Sequence, residues 1–160
     1  MSEALLIQNF PLPPSENALF ATNFKTKRRF PTKDYGLYKE GCRQWGIVNS
    51  KYSALFRKMQ KENPGKMVKV DVYYVLKYER IFTKDGRPKR LDASNRNKAF
   101  QDELSKFLNI DDCTIFNLAC EKVSGEKECC VVMISFIKPM TSVDLLNSFS
   151  YSNDEPSTIQ

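Results

Sequence analysis

Histidine is missing from all 160 residues of this chain. No imidazole can serve as a general base or a metal ligand, so any acid–base chemistry falls to carboxylates and lysine. The 5 cysteines show no Cys-x-x-Cys spacing, and a zinc site without histidine would need four of them. Cys113, Cys120, Cys129 and Cys130 lie in apolar, strand-like runs and, with Cys42, read as buried, reduced thiols. No apolar run approaches the roughly 20 residues that span a bilayer, so no membrane role is expected. Met1 to Phe10 lacks a basic segment and carries Glu3, which argues against a secretory signal and places the chain in the cytoplasm. No internal repeat is visible.

What is present is a moderately basic protein, with net charge +6 and pI near 9.0. The distribution of charge says more than its total. Lys25, Lys27, Arg28, Arg29 and Lys33 cluster with no acid among them, and Lys84, Arg87, Lys89 and Arg90 form a second group. After Lys138 there is no basic residue at all. Clustered cations favour a polyanionic partner. The length, 41% hydrophobic content and 28% charged content fit one soluble domain with a real core.

The pattern along the chain predicts an α+β fold. Leu5 to Phe10 reads as a short strand stopped by Pro11, Pro13 and Pro14. Ser15 to Pro31 is a long, polar and basic connection. Thr32 is placed to N-cap a helix running to Asn63, where Pro64-Gly65 ends it, with Gly36, Gly41 and Gly46 weakening its first half. Tyr38, Cys42, Trp45, Val48, Tyr52, Leu55, Phe56 and Met59 recur at helical spacing and are expected to face the core. Met67 to Tyr78 alternates cleanly as a strand, with Val68, Val70, Val72, Tyr74 and Leu76 on one face. Lys84 to Arg90 reads as a turn or loop. A second helix is predicted over Asn95–Leu108 with Ser94 as its cap; Phe100, Leu104, Phe107 and Leu108 form its apolar stripe, opposite Asn95, Lys98, Asp102 and Ser105. Thr114–Val123 and Glu128–Ile137 read as strands joined in a hairpin at Ser124-Gly125-Glu126-Lys127, the second of them central. Residues 1–140 are expected to form the domain and 141–160 a mobile C-terminal tail.

The chemistry is expected around the second helix. Asp92 precedes it, Lys98 lies one turn in, Asp102 one turn further, and Asp111-Asp112 follow its end. Each has a plain structural explanation: a carboxylate at a helix N-terminus, an i,i+4 surface ion pair, a turn before a strand. Together, oxygen donors beside a lysine suit a hard divalent cation acting on phosphate.

At these residues the chain resembles the RusA family of Holliday-junction resolvases. The family's Pro-Pro-Ser-x-Asn element is matched by Pro13-Pro14-Ser15-Glu16-Asn17. Its D-x-D-N-x-x-K-x-x-x-D pattern and following Asp-Asp loop are matched by Asp92, Asn95, Lys98, Asp102 and Asp111-Asp112, with Ser94 where the pattern has its second aspartate. The order and spacing agree from about Leu5 to Ile137.

The resemblance implies a single-domain, homodimeric nuclease over residues 1–140. Its fold would be a small mixed sheet of about four strands with two packed helices. Its activity would be magnesium-dependent cleavage of four-way DNA, with Mn2+ as a substitute. Asp92, Lys98 and Asp112 would be catalytic; Asp92 and Asp112 would hold the metal, assisted by Asp111. Lys25, Lys27, Arg28, Arg29, Arg87, Lys89 and Arg90 would bind DNA phosphates. Phe24, Phe30, Ile81 and Phe82 are candidates to wedge at a strand exchange. Ser94 leaves open a second reading, a weakened or inactive branched-DNA-binding protein of the same fold. A third reading is a basic protein-interaction domain whose acidic loops are structural.

Overall fold

The computed structural model describes residues 4–150, with the side chains of 149 and 150 left aside. Strand β1 (Leu5–Phe10) opens the chain. A short antiparallel ribbon follows, formed by β2 (Phe20–Thr22) and β3 (Arg29–Pro31). Helices α1 (Lys33–Val48) and α2 (Ser50–Glu62) lead to the long strand β4 (Met67–Leu76) and the single turn α3 (Tyr78–Ile81). Then come α4 (Asn97–Leu108), β5 (Ile115–Ser124), β6 (Cys129–Ile137) and α5 (Ser142–Ser150).

The main sheet has the order β1-β6-β4-β5, and the ribbon is a second, two-stranded sheet. β4 is parallel to β5 and antiparallel to β6. The sheet is therefore mixed, as expected, with β6 central. Helices α1, α2 and α4 pack against one face. Val68, Val70, Val72 and Tyr74 point into that layer, as the period-2 alternation of β4 requires. Phe56 of α2 stacks on Phe136 of β6 at 5.6 Å, and Phe100 of α4 meets Tyr74 edge-on at 6.1 Å. Each such ring, fully buried, contributes about 1.5–3 kcal/mol of transfer free energy.

β1 keeps its core contact by breaking its own alternation. Leu5 and Ile7 point inward, so strict alternation would send Asn9 into the core and Phe10 out to solvent. Asn9 instead adopts a left-handed φ of 56°, and the pairing steps from Ile7↔Val132 to Phe10↔Cys130. Three positions on β1 oppose two on β6, a bulge that turns Phe10 inward, where it packs 5.1 Å from Trp45 and 5.7 Å from Phe100.

Several sequence-based expectations are corrected. Thr32 does cap α1, accepting from the Tyr35 amide at 3.2 Å, but the predicted single helix is two. The break falls at Asn49 rather than at a glycine. Both its amide (3.0 Å) and its side-chain Nδ2 (2.9 Å) donate to the Trp45 carbonyl and close α1. The phase shift leaves Val48 (83% accessible) and Leu55 exposed instead of facing the core.

The predicted β5–β6 hairpin is also absent, because β4 lies between those strands. The link instead crosses the end of β4, with the Gly125 amide donating to the Leu76 carbonyl at 2.9 Å. A Cβ at Gly125 would sit 2.5 Å from Val75 Cγ1, so the crossing requires glycine there. Arg80 pins the link through Glu128 at 2.8 Å.

The polar connection before Pro31 carries the β2–β3 ribbon, and the 84–90 loop is closed by a Phe82↔Pro88 bridge. Cys113 is exposed and Cys120 only half-buried, so the two are not the buried thiols expected. The expected tail contains α5 in its first half; residues 151–160 lie outside the described residues. Among the described residues no helix is long and apolar enough to cross a membrane.

Candidate active site

The site is organised by α4 and the two loops at its ends. Asn97, the first residue of α4, accepts from the Tyr74 hydroxyl of β4 at 2.8 Å and reaches Cys120 of β5 at 3.5 Å. These contacts fix the start of the helix on the parallel strand pair. Before it, a 3-10 turn spans Ser94–Arg96. Ser94 does not cap the helix as expected. Its hydroxyl and its amide both turn back to Oδ1 of Asp92, at 2.7 and 3.1 Å. The serine thereby orients Asp92, while both residues remain exposed.

At the other end, Asn109 takes a left-handed conformation (φ 56°) and stops the helix, its amide donating to the Lys106 carbonyl at 3.2 Å. The chain then reverses through a 3-10 turn at Asp112–Thr114, with Asp111 accepting from the Cys113 amide at 3.1 Å. That amide draws the Asp111 carboxyl below its usual range. The reversal lays Asp112 back along α4, where its carbonyl accepts from Gln101 at 3.4 Å. Asp102 and Asp112 thus line one open cleft of about 410 Å³ with Ser105, Lys106, Asn109 and Ile110.

Lys98 lies one turn before that cleft. Its ammonium pairs with Asp102 at 2.8 Å. Its pKa is raised, chiefly by the hydrogen bond and charge of Asp102 and further by Asp112. Lys98, Asp102 and Asp112 are therefore one electrostatic group. Tyr35 of α1 belongs to the same field: burial raises its phenol first, then the charges of Asp102 and Glu103.

The family model described as endodeoxyribonuclease RusA matches residues 11–135. The chain belongs to the RusA family. No curated protein matches it. RusA proteins are Holliday-junction-resolving endonucleases that act on branched DNA and depend in general on a divalent metal.

Among the described residues, no three His, Cys, Asp or Glu side chains gather into a cage for a metal ion. The donors nonetheless suit the metal class of the RusA family. Magnesium keeps several waters and takes only one or two carboxylates together with substrate phosphate. Asp92 and Asp112 are exposed, oxygen-only donors of that kind.

Around the candidate site the basic residues divide. Lys25, Lys27, Arg28 and Arg29 are exposed on the ribbon, with Arg29 also lying 5.1 Å over the Phe20 ring. In the 84–90 loop, Arg87 is paired with Asp85 at 2.8 Å and Lys89 donates to the Glu79 carbonyl at 2.6 Å, while Arg90 is exposed. Of the wedge candidates, Ile81 is buried and Phe82 packs against Tyr78 at 4.9 Å.

Two contributors escaped the sequence reading. Arg96, 4% accessible, donates to the Pro13 carbonyl and ties the Pro-Pro-Ser element to the Asp92 loop. An arginine in a polar run carries no local signal of burial. Asn97 likewise reads as one more polar helix residue until the sheet is placed beneath it. Ser105, expected on the polar face, is buried, and its hydroxyl has no partner among the described residues.

Proposed function

We propose that this chain is a magnesium-dependent endonuclease that resolves four-way DNA junctions as a cytoplasmic homodimer, with Mn2+ able to replace Mg2+. The observation that carries the reading is the reversal after α4, which sets Asp112 beside the Lys98–Asp102 pair inside the span matched by the family. Asp92 and Asp112 would hold the metal, with Asp111 as an auxiliary acid. The bound ion would supply Lewis acidity at the phosphate and a lower pKa for its water.

The protein's own groups do the rest. The water oxygen forms a new P–O bond and gives up a proton to solvent, the bridging P–O bond breaks, and the leaving oxygen takes a proton from solvent. Lys98, a cation at neutral pH and held by Asp102 at 2.8 Å, offsets charge on the phosphate oxygens as it develops. Ser94 holds the Asp92 carboxylate in place. The exposed cations of the ribbon and the 84–90 loop bind backbone phosphates, which gives affinity and position without sequence choice. Two copies related by a two-fold axis would present two such sites to a junction of matching symmetry.

A second reading rests on Ser94, a neutral residue where the family pattern has a carboxylate: the fold and basic surface would then bind junctions with little or no cleavage. Incubating the protein with synthetic four-way and linear DNA, with and without magnesium, separates the two. Metal-dependent nicks in the junction support the nuclease. Junction retained without nicks at any metal concentration supports the binder, and absence of binding to either DNA overturns both.

A further inference from the structure

Phe24 is the most exposed large apolar side chain among the described residues, at 86% accessibility. It stands at the tip of the β2–β3 ribbon, in a loop that the backbone holds in one shape. The Asn23 amide donates to the Arg28 carbonyl at 2.9 Å and the Lys27 amide to the Asn23 carbonyl at 2.8 Å. The Asn23 side chain accepts from the Lys25 and Thr26 amides at 2.9 and 3.2 Å. Lys27 completes the turn in the left-handed region, φ 57°. An apolar ring has thus been placed in water, on a built turn, among Lys25, Lys27 and Arg28.

The base of the ribbon is anchored beside the candidate site. Thr32 donates its amide to the Leu19 carbonyl at 3.0 Å, and Phe20 packs edge-on against Tyr35 at 5.7 Å. Tyr35 is the phenol that feels Asp102 and Lys98. From that base the three residues of β2 carry the chain outward by about 7 Å, at 3.3 Å per extended residue, before the turn that holds Phe24 begins. Cations alone would serve phosphate binding; a solvent-exposed phenyl ring adds nothing to it. A ring flanked by cations suits a nucleobase that has left its stack, whose π-face any aromatic can cover while neighbouring phosphates meet the lysines and arginine.

We propose that the ribbon tip is a binding site for an unstacked base, with Phe24 as the stacking residue, so that the chain prefers DNA whose stack is interrupted over continuous duplex. This rests on the reading of the chain as a branched-DNA nuclease, but it concerns binding and needs no cleavage.

The test uses the full chain without added metal and a synthetic four-way junction carrying 2-aminopurine beside the branch point, with a linear duplex carrying the same base as comparison. Wild type should change the branch-point fluorescence on binding. Phe24→Ala should abolish that change and weaken junction binding by about tenfold, the loss expected for one stacked base. Its affinity for linear duplex and its salt dependence should stay unchanged, since no charge is lost. Phe24→Trp should restore both signals. Because the ring is almost wholly exposed, none of these changes burdens folding. An alanine variant that keeps the 2-aminopurine response, or loses affinity for junction and duplex equally, overturns the proposal while leaving the nuclease reading intact. A wild-type protein that binds neither DNA overturns both.

Discussion

The hydroxyl of Ser94 donates to Oδ1 of Asp92 at 2.7 Å, and the Ser94 amide donates to the same oxygen at 3.1 Å. By the sequence resemblance, position 94 falls where the RusA pattern carries its second aspartate. A neutral donor there aims Asp92 without adding negative charge, which favours orientation over metal affinity. Replacing the serine by aspartate exchanges the hydroxyl donor for a carboxylate, a better ligand for a hard cation. Ser94→Asp is therefore expected to lower the magnesium concentration giving half-maximal cleavage. A titration of cleavage rate against magnesium checks it, and an unchanged midpoint would place the missing ligand elsewhere.

Asp92 and Asp112 are the two carboxylates proposed to hold the ion. Asp92→Asn or Asp112→Asn should reduce cleavage by more than the roughly 10–100-fold typical of residues that merely orient a ligand. Junction binding should persist or tighten, because like charge is removed from beside the phosphates. Single-turnover rates paired with gel-shift affinities make the comparison, and a wild-type rate in either variant removes that residue from the site.

Much of this architecture was legible in local pattern, and what was not has identifiable causes. The alternation of β4 and the Thr32 cap are signals carried by the residues themselves. The bulge at Asn9 was hidden because Leu5, Ile7 and Phe10 look like an ordinary strand until a neighbour fixes the register. Ser124-Gly125 reads as a turn in sequence, because a glycine needed for close passage over Val75 looks the same there as one needed for a hairpin. In the site, the spacing of Asp92, Lys98, Asp102 and Asp112 was visible along the chain. The contacts that make it a site depend on the chain reversal at Asn109 and on Arg96 and Asn97, whose partners lie 83 and 23 residues away.

The Lys98–Asp102 pair predicts a measurable proton affinity. Asp102 is the main reason the Lys98 pKa is raised, so Asp102→Asn should bring it down toward the ordinary lysine value. The sign follows from linkage: the pair's stabilisation is present below the unfolded lysine pKa and fades as pH rises through the higher folded one. An exposed i,i+4 pair is worth only about 0.3–0.5 kcal/mol, so global stability should barely respond. A titration of the Lys98 Cε chemical shift by NMR reads the change directly. Equal values in the two proteins would show that the pair is not held in solution.

Binding and chemistry should separate by residue. Lys98→Ala should cut the cleavage rate far more than junction affinity. Arg28→Ala or Arg90→Ala should instead weaken binding to every DNA sequence and flatten the slope of log K against log salt by about 1. Lys89, already donating to the Glu79 carbonyl, should give a smaller change in slope and more disturbance of its loop. Salt titrations of affinity alongside single-turnover cleavage decide the matter. Proportional loss of affinity and rate in Lys98→Ala would end this division of labour.

The crossing of β4 by the link after β5 can be tested through a single methyl group. In Gly125→Ala the new Cβ would fall 2.5 Å from Val75 Cγ1, a separation that forces strand or link to move. Overpacking of this kind costs about 1–3 kcal/mol. Val75→Ala removes the obstructing methyl at a cost of its own, because Val75 is partly buried in the sheet. If link and strand touch as described, the double variant should be more stable than the sum of the two single losses predicts, with a favourable coupling of about 0.5–2 kcal/mol. Urea denaturation of the four proteins supplies the cycle. Additive losses would mean that Gly125 does not pass over Val75, and the β1-β6-β4-β5 order would then lose its most direct local support.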